Sequence, residues 1–183
     1  GVVQAVKMRT HLGQQMISFI EKGNLVLGIC NGFQTLVNLG LLPGIAGDYA
    51  SRKVALIHND CGNFRDDWVT LNLNSNSPCI FTRGMQRMDV PVRHGEGKFY
   101  ADEETLSRLK AAGQIVAQYA LPTGEPANGR FPFNPNGAVL DIAGICDSTG
   151  RVFGLMPHPE AFNHFTNHPD WLRRREKIKR SGE

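Results

Sequence analysis

The chain has 183 residues, 41% of them apolar and 20% charged, the size and make-up of one domain able to bury its own core. No apolar stretch approaches the roughly 18 residues of a membrane span and no charged-then-apolar leader opens the chain, so a cytoplasmic protein with no membrane contact is expected. The formal charge of +3 sits in the tail: residues 173–183 hold six basic side chains and two acids, a solvated basic helix over about 169–180 rather than a nucleic-acid surface.

In chain order, Val2 to Lys22 reads as a helix with Val6, Leu12, Met16, Phe19 and Ile20 as its apolar face and Gly23 as its stop. Leu25 to Ile29 is an apolar run, read as a buried strand, that ends at Cys30. Asn31 to Leu39 follows as a helix turning Phe33, Leu36 and Val37 inward. A strand that turns at once into a helix strains the turning residue and needs small neighbours, which Gly28 and Gly32 supply. The elbow would hold the Cys30 thiol at the positive end of a helix, where a thiolate is favoured and the pKa falls. A buried structural cysteine is the commoner fate of a lone thiol, but glycines on both sides are poor core material.

Lys53 to Ile57, Trp68 to Leu73 and Met88 to Arg93 are strand candidates. His94-Gly95-Glu96-Gly97-Lys98 reads as a tight turn; Phe99 stands where a phosphate loop has Ser or Thr, which argues against phosphate binding. Asp102 caps a short helix that ends at Gly113, and Ile115 to Ala120 is a further strand. Leu121 to Asn136, punctuated by four prolines, is expected to run over the surface. Val139 to Cys146 and Arg151 to Met156 flank a turn at residues 147–150 that delivers His158. With proline on both sides, His158 is biased to extended backbone, so Glu160, two residues on, points to the same side and reaches the imidazole. A thiol, a histidine and an acid that fixes its tautomer are the parts of a nucleophilic triad. The four cysteines (Cys30, Cys61, Cys79, Cys146) form no Cys-x-x-Cys pair, so neither zinc nor a disulfide framework is indicated.

Gly28-x-Cys30-x-Gly32-x-Gln34 followed by His158-Pro159-Glu160 resembles the class I, or triad, glutamine amidotransferases. Segments 28–34, 94–99, 134–137, 141–145 and 154–160 occur in family order and are most similar to the glutaminase subunit or domain of phosphoribosylformylglycinamidine synthase. After Glu160 the wording departs, with Ala161 and Phe162 where an Arg often follows. The resemblance implies an α/β, three-layer, flavodoxin-like fold in a single domain over 1–183, with Cys30, His158 and Glu160 as the triad. It also implies that His94, Gly95 and Glu96 close over the α-amino and α-carboxylate ends of L-glutamine. Gln34 either meets substrate or caps local backbone, Gly32 lies beside the nucleophile, and the Asn31 backbone N–H points at the developing oxyanion. No cofactor is expected in this chain, which has neither a Walker pattern nor Gly-x-Gly-x-x-Gly; ATP and magnesium are expected on a synthetase partner that amidates formylglycinamide ribonucleotide. A related triad hydrolase or peptidase, and a non-catalytic regulatory subunit, are the alternatives. In the resembling family a Gly-rich loop upstream of the first helix supplies a second oxyanion N–H; with no such loop before Cys30, the resemblance implies that the chain lacks an N-terminal portion holding that loop and one or more strands.

Overall fold

The computed structural model of the chain describes residues 2–182, with side chains from residue 6 onward. Helix α1 spans Val2–Glu21, strand β1 Val26–Ile29 and helix α2 Asn31–Leu39. Strands β2 (Val54–Ile57), β3 (Arg65–Leu73), β4 (Arg87–His94) and β5 (Lys98–Ala101) follow. Helix α3 (Glu103–Ala111), strands β6 (Ile115–Ala120), β7 (Ile142–Cys146) and β8 (Val152–Leu155), and helix α4 (Trp171–Ser181) complete the chain. The fold is α/β. Six strands form a mixed sheet in the order β1-β8-β7-β6-β3-β4, and β2 pairs with β5 in a separate antiparallel ribbon.

Among the described residues only the β1 and β8 pairing is parallel. Counting directions across the sheet, β1, β8, β6 and β4 all run the same way, so their C-terminal ends share one edge. Cys30 follows β1, His158 lies just beyond β8 and His94 ends β4, which gathers residues distant in sequence at that edge. Phe33, Leu71, Phe99, Leu109, Tyr119, Ile142, Ile145 and Met156 are fully buried in the core. Among the described residues no helix is long and apolar enough to cross a membrane.

Several expectations are corrected. On α1 the inward residues are Met8, Met16, Ile17 and Ile20, while Val6, Leu12 and Phe19 face outward. The rotation is set by Arg9, whose Nη2 donates to the last carbonyls of α2 at Asn38 and Leu39, 3.2 and 3.1 Å away. The β1 run is not wholly buried: it pairs on one side only among the described residues, and Leu25 and Leu27 are half exposed. Strand β2 begins at Val54, not Lys53, and β3 reaches back to Arg65. Strand β5 was hidden by the two glycines before it. The proposed strand at Val139 starts only at Ile142, because the Asp141 carboxylate accepts from Asn128 N–H, Gly129 N–H and Asn134 Nδ2 at 2.7, 2.9 and 2.8 Å. Those bonds hold Leu140 and Asp141 at φ 51° and 56°, out of extended backbone. The 121–136 loop is not merely superficial, since Ala127, Asn134 and Asn136 are buried.

Helix α4 starts at Trp171 and is more than a solvated face. Arg174 pairs with Asp89 of β4, which also accepts from Thr70 Oγ1 of β3 at 2.7 Å. Ahead of the helix, Trp68 of β3 meets Phe162 and His168 edge-on, with centroids 5.0 and 4.7 Å apart.

Candidate active site

Cys30 caps α2 with φ 51° and ψ −107°, a conformation outside the allowed basins for a side-chain-bearing residue. It is held there by its own N–H on Leu155 O at 2.8 Å and by its carbonyl, which accepts from Gln34 N–H at 3.1 Å. The two neighbouring glycines differ in role. A Cβ on Gly28 would lie 2.8 Å from the Gly32 backbone and 2.6 Å from Leu36, so only glycine lets helix and strand close. At Gly32 a Cβ would meet nothing within 4 Å, so its absence leaves space rather than relieving a clash.

The thiol is half-buried, with Sγ 3.8 Å from Arg93 O. Burial pushes its pKa up, the Asn31 N–H hydrogen bond pulls it down, and the Glu160 carboxylate pushes it up again. The net direction is upward, against the lowered value expected from the helix terminus. At rest the residue is therefore a thiol that needs a base.

The residue that the sequence proposes as that base, His158, lies just beyond β8. Its N–H donates to Pro91 O at 2.8 Å, tying it to β4, and Nδ1 lies 2.6 Å from Glu160 Oε1. The acid reaches it through a single 3-10 turn at Pro159–Ala161, not through extended-chain alternation. His158 Nε2 is buried and unpartnered among the described residues. A contact that tightens only when substrate arrives is common for catalytic pairs.

The 94–97 loop closes over a buried side chain. His94 is buried beneath it, and a Cβ on Gly97 would lie 2.2 Å from its ring. Gly95 O accepts from Asn59 N–H at 3.0 Å. The Glu96 carboxylate is exposed, 3.5 Å from His58, while its backbone oxygen accepts from Gln34 Nε2 at 2.7 Å. Gln34 thus ties α2 to the loop. Asn59 donates to His94 O at 2.8 Å and accepts from Gly97 N–H at 3.0 Å; Asn136 reaches Gly97 O and His94 Nε2 at 2.8 and 3.1 Å. Asn59 and Tyr119 went unnoticed in sequence, and Asn136 entered only as part of the 134–137 segment.

The family described as the CobB/CobQ-like glutamine amidotransferase domain matches residues 1–182. The chain belongs to that family. Among this amidotransferase domain's relatives, phosphoribosylformylglycinamidine synthase subunit PurQ of Methanococcus maripaludis is 47% identical over 179 residues, 98% of this chain and 65% of the relative. The subunit of that name from Dehalococcoides mccartyi is 43% identical over 171 residues, 93% of this chain and 64% of the relative. The chain therefore spans about two thirds or less of the length of these relatives. A solved structure, "Structure of PurLQS from Thermotoga maritima", superposes with a TM-score of 0.64 at 28% identity, covering 98% of this chain and 72% of that one.

Proposed function

We propose that this amidotransferase domain is the glutaminase component of phosphoribosylformylglycinamidine synthase. It hydrolyses L-glutamine to glutamate and ammonia, and a synthetase partner carrying ATP and magnesium uses the ammonia to amidate formylglycinamide ribonucleotide in the cytoplasm. The observation that carries the reading is the strained Cys30 elbow sharing one sheet edge with the His158 and Glu160 pair; the names of the relatives support the acceptor and the partner.

Cys30 attacks the side-chain amide carbon of glutamine as His158 Nε2 takes the thiol proton, and Glu160 holds the imidazole with its other nitrogen protonated. The Asn31 N–H, at the first turn of α2, stabilises the oxyanion; one such donor contributes about 2.7 to 4 kcal/mol of barrier reduction. His158 returns the proton to the departing ammonia. Water then cleaves the glutamyl thioester with His158 as base.

A chloroketone analogue of glutamine is expected to alkylate Cys30 ahead of Cys61, Cys79 and Cys146, and Cys30→Ala is expected to remove glutamine-dependent ammonia release while the protein still binds the synthetase. Equal labelling of all four thiols, or an active Cys30→Ala enzyme, would sink the proposal.

A further inference from the structure

The segment that carries His158 and Glu160 is fastened at two points, and both belong to one cross-strand pair. Trp68 of β3 and Pro91 of β4 stand directly opposite each other. Strand β4 is last in the sheet order, and Pro91, which has no N–H to give, accepts the His158 N–H on its carbonyl at 2.8 Å. The single 3-10 turn that follows is closed by Ala161 N–H on His158 O and by Phe162 N–H on Pro159 O, both at 3.1 Å. Its exit is the second fastening. There the Phe162 ring meets the Trp68 ring edge-on, with centroids 5.0 Å apart and planes at 85°. Among the described residues every hydrogen bond of residues 159–169 goes to a partner within 158–171, so none ties the turn itself to the sheet. The Glu160 side chain is 57% exposed, and the hydrogen-bond partner of its carboxylate is the His158 imidazole, Oε1 to Nδ1 at 2.6 Å. An ion pair so open to water is weak by itself, and the backbone of the turn is what aims the acid. Phe162, one of the two positions at which the sequence departs from the resembling family, is the residue through which that backbone reaches Trp68.

Resting on the glutaminase reading above, we propose that Trp68 is a positioning residue for the triad: through Phe162 it fixes the turn so that the Glu160 carboxylate stays on His158 Nδ1. The chemistry asks for that constraint. The carboxylate keeps the imidazole hydrogen on Nδ1 and so leaves Nε2 able to take the Cys30 proton, whereas a carboxylate free to swing into water would let the ring adopt the other tautomer. Trp68 takes no part in the proton transfers, and it acts on turnover rather than on capture of glutamine. The same ring also meets buried His168, with centroids 4.7 Å apart, so it stands between the triad turn and the segment that leads into α4. Removing the Phe162 ring frees the turn and leaves the contact of Trp68 with His168. Removing the Trp68 ring frees both, so the two variants separate aiming of the acid from docking of the helix.

The test is steady-state, glutamine-dependent ammonia release by the enzyme assembled with its synthetase partner. Trp68→Ala and Phe162→Ala are each expected to lower kcat about tenfold with KM within about threefold of the wild-type value, and Phe162→Tyr, which keeps a ring against Trp68, is expected to recover most of the lost rate. The deciding measurement repeats Phe162→Ala in the slower Glu160→Gln enzyme. With the carboxylate already gone its placement no longer matters, so the second substitution is expected to cost less than about twofold more. A tenfold loss in both backgrounds overturns the proposal, as does a Phe162→Ala enzyme with wild-type kcat or one whose loss lies in KM. Absence of glutamine-dependent ammonia release from the wild-type enzyme would overturn the glutaminase reading instead. If Trp68→Ala does not fold, Phe162→Ala carries the test, since its ring is only half-buried on a surface turn.

Discussion

At the scale of single residues, Cys30 carries the clearest backbone strain. Its φ of 51° with ψ of −107° is a region that glycine enters freely and other residues enter at a cost of about 1–3 kcal/mol. The surrounding bonds, to Leu155 O and from Gln34 N–H, hold it there. Cys30→Gly and Cys30→Ala both remove the thiol, so the difference between them reads the strain alone. Elsewhere glycine is the less stable of the two because it loses more backbone entropy. Here the order is expected to invert, with the glycine variant about 1 kcal/mol or more the stabler by urea unfolding. An alanine variant as stable as the glycine one would mean that the elbow is not strained.

At the scale of elements, local patterns were legible where one force decided them. Asp102 reads as a cap because its carboxylate has one natural use at a helix start, and it accepts from Thr105 N–H at 2.7 Å. Helix α2 ends where Gly40 takes φ 83°. The failures arose where a distant group intervened: Arg9 on the end of α2 turned the apolar face of α1, and the Asp141 cradle delayed β7. The basic tail is the clearest instance, since nothing local says that Arg174 leaves its own face for Asp89. Burial would raise Asp89, but the Thr70 hydroxyl and the Arg174 guanidinium hold its carboxyl below the usual range. Both partners keep partial solvent contact, so Arg174→Ala is expected to cost only about 1 kcal/mol globally. Its larger effect should be local. Amide exchange in Trp171–Ser181 is expected to speed up while β6 and β7 keep their protection, and unchanged exchange in α4 would show that the aromatic contacts of Trp68 hold the helix unaided.

At the scale of the whole molecule, the chemistry of the site was more legible than its architecture. Cys30, His158 and Glu160 announce themselves by local spacing, whereas strand order and the asparagines that shape the 94–97 loop depend on long-range pairing that no short window contains. The buried network of His94, Asn136 and Tyr119 joins β4, the 121–136 loop and β6, so its protonation is a property of the folded state as a whole. The His94 pKa falls from an ordinary 6.5 to about 4 on folding. Between those values the unfolded chain binds a proton that the folded one refuses, so stability rises with pH there. The contribution is full above 6.5, declines as pH falls towards 4, and changes no further below that. It amounts to about 3 kcal/mol in all. His168 is also lowered, by burial first, and adds slope in the acid range, while the depressed carboxylates of Asp48, Asp89 and Asp102 act at lower pH still. Comparing His94→Gln with the wild-type protein separates these contributions, since the variant keeps every other group. Urea unfolding across this window is expected to show the variant losing about 3 kcal/mol less than the wild-type chain on acidification. Parallel curves for the two proteins would mean that His94 accepts its proton in the fold as readily as in the unfolded chain, and that its burial does not hold the ring neutral.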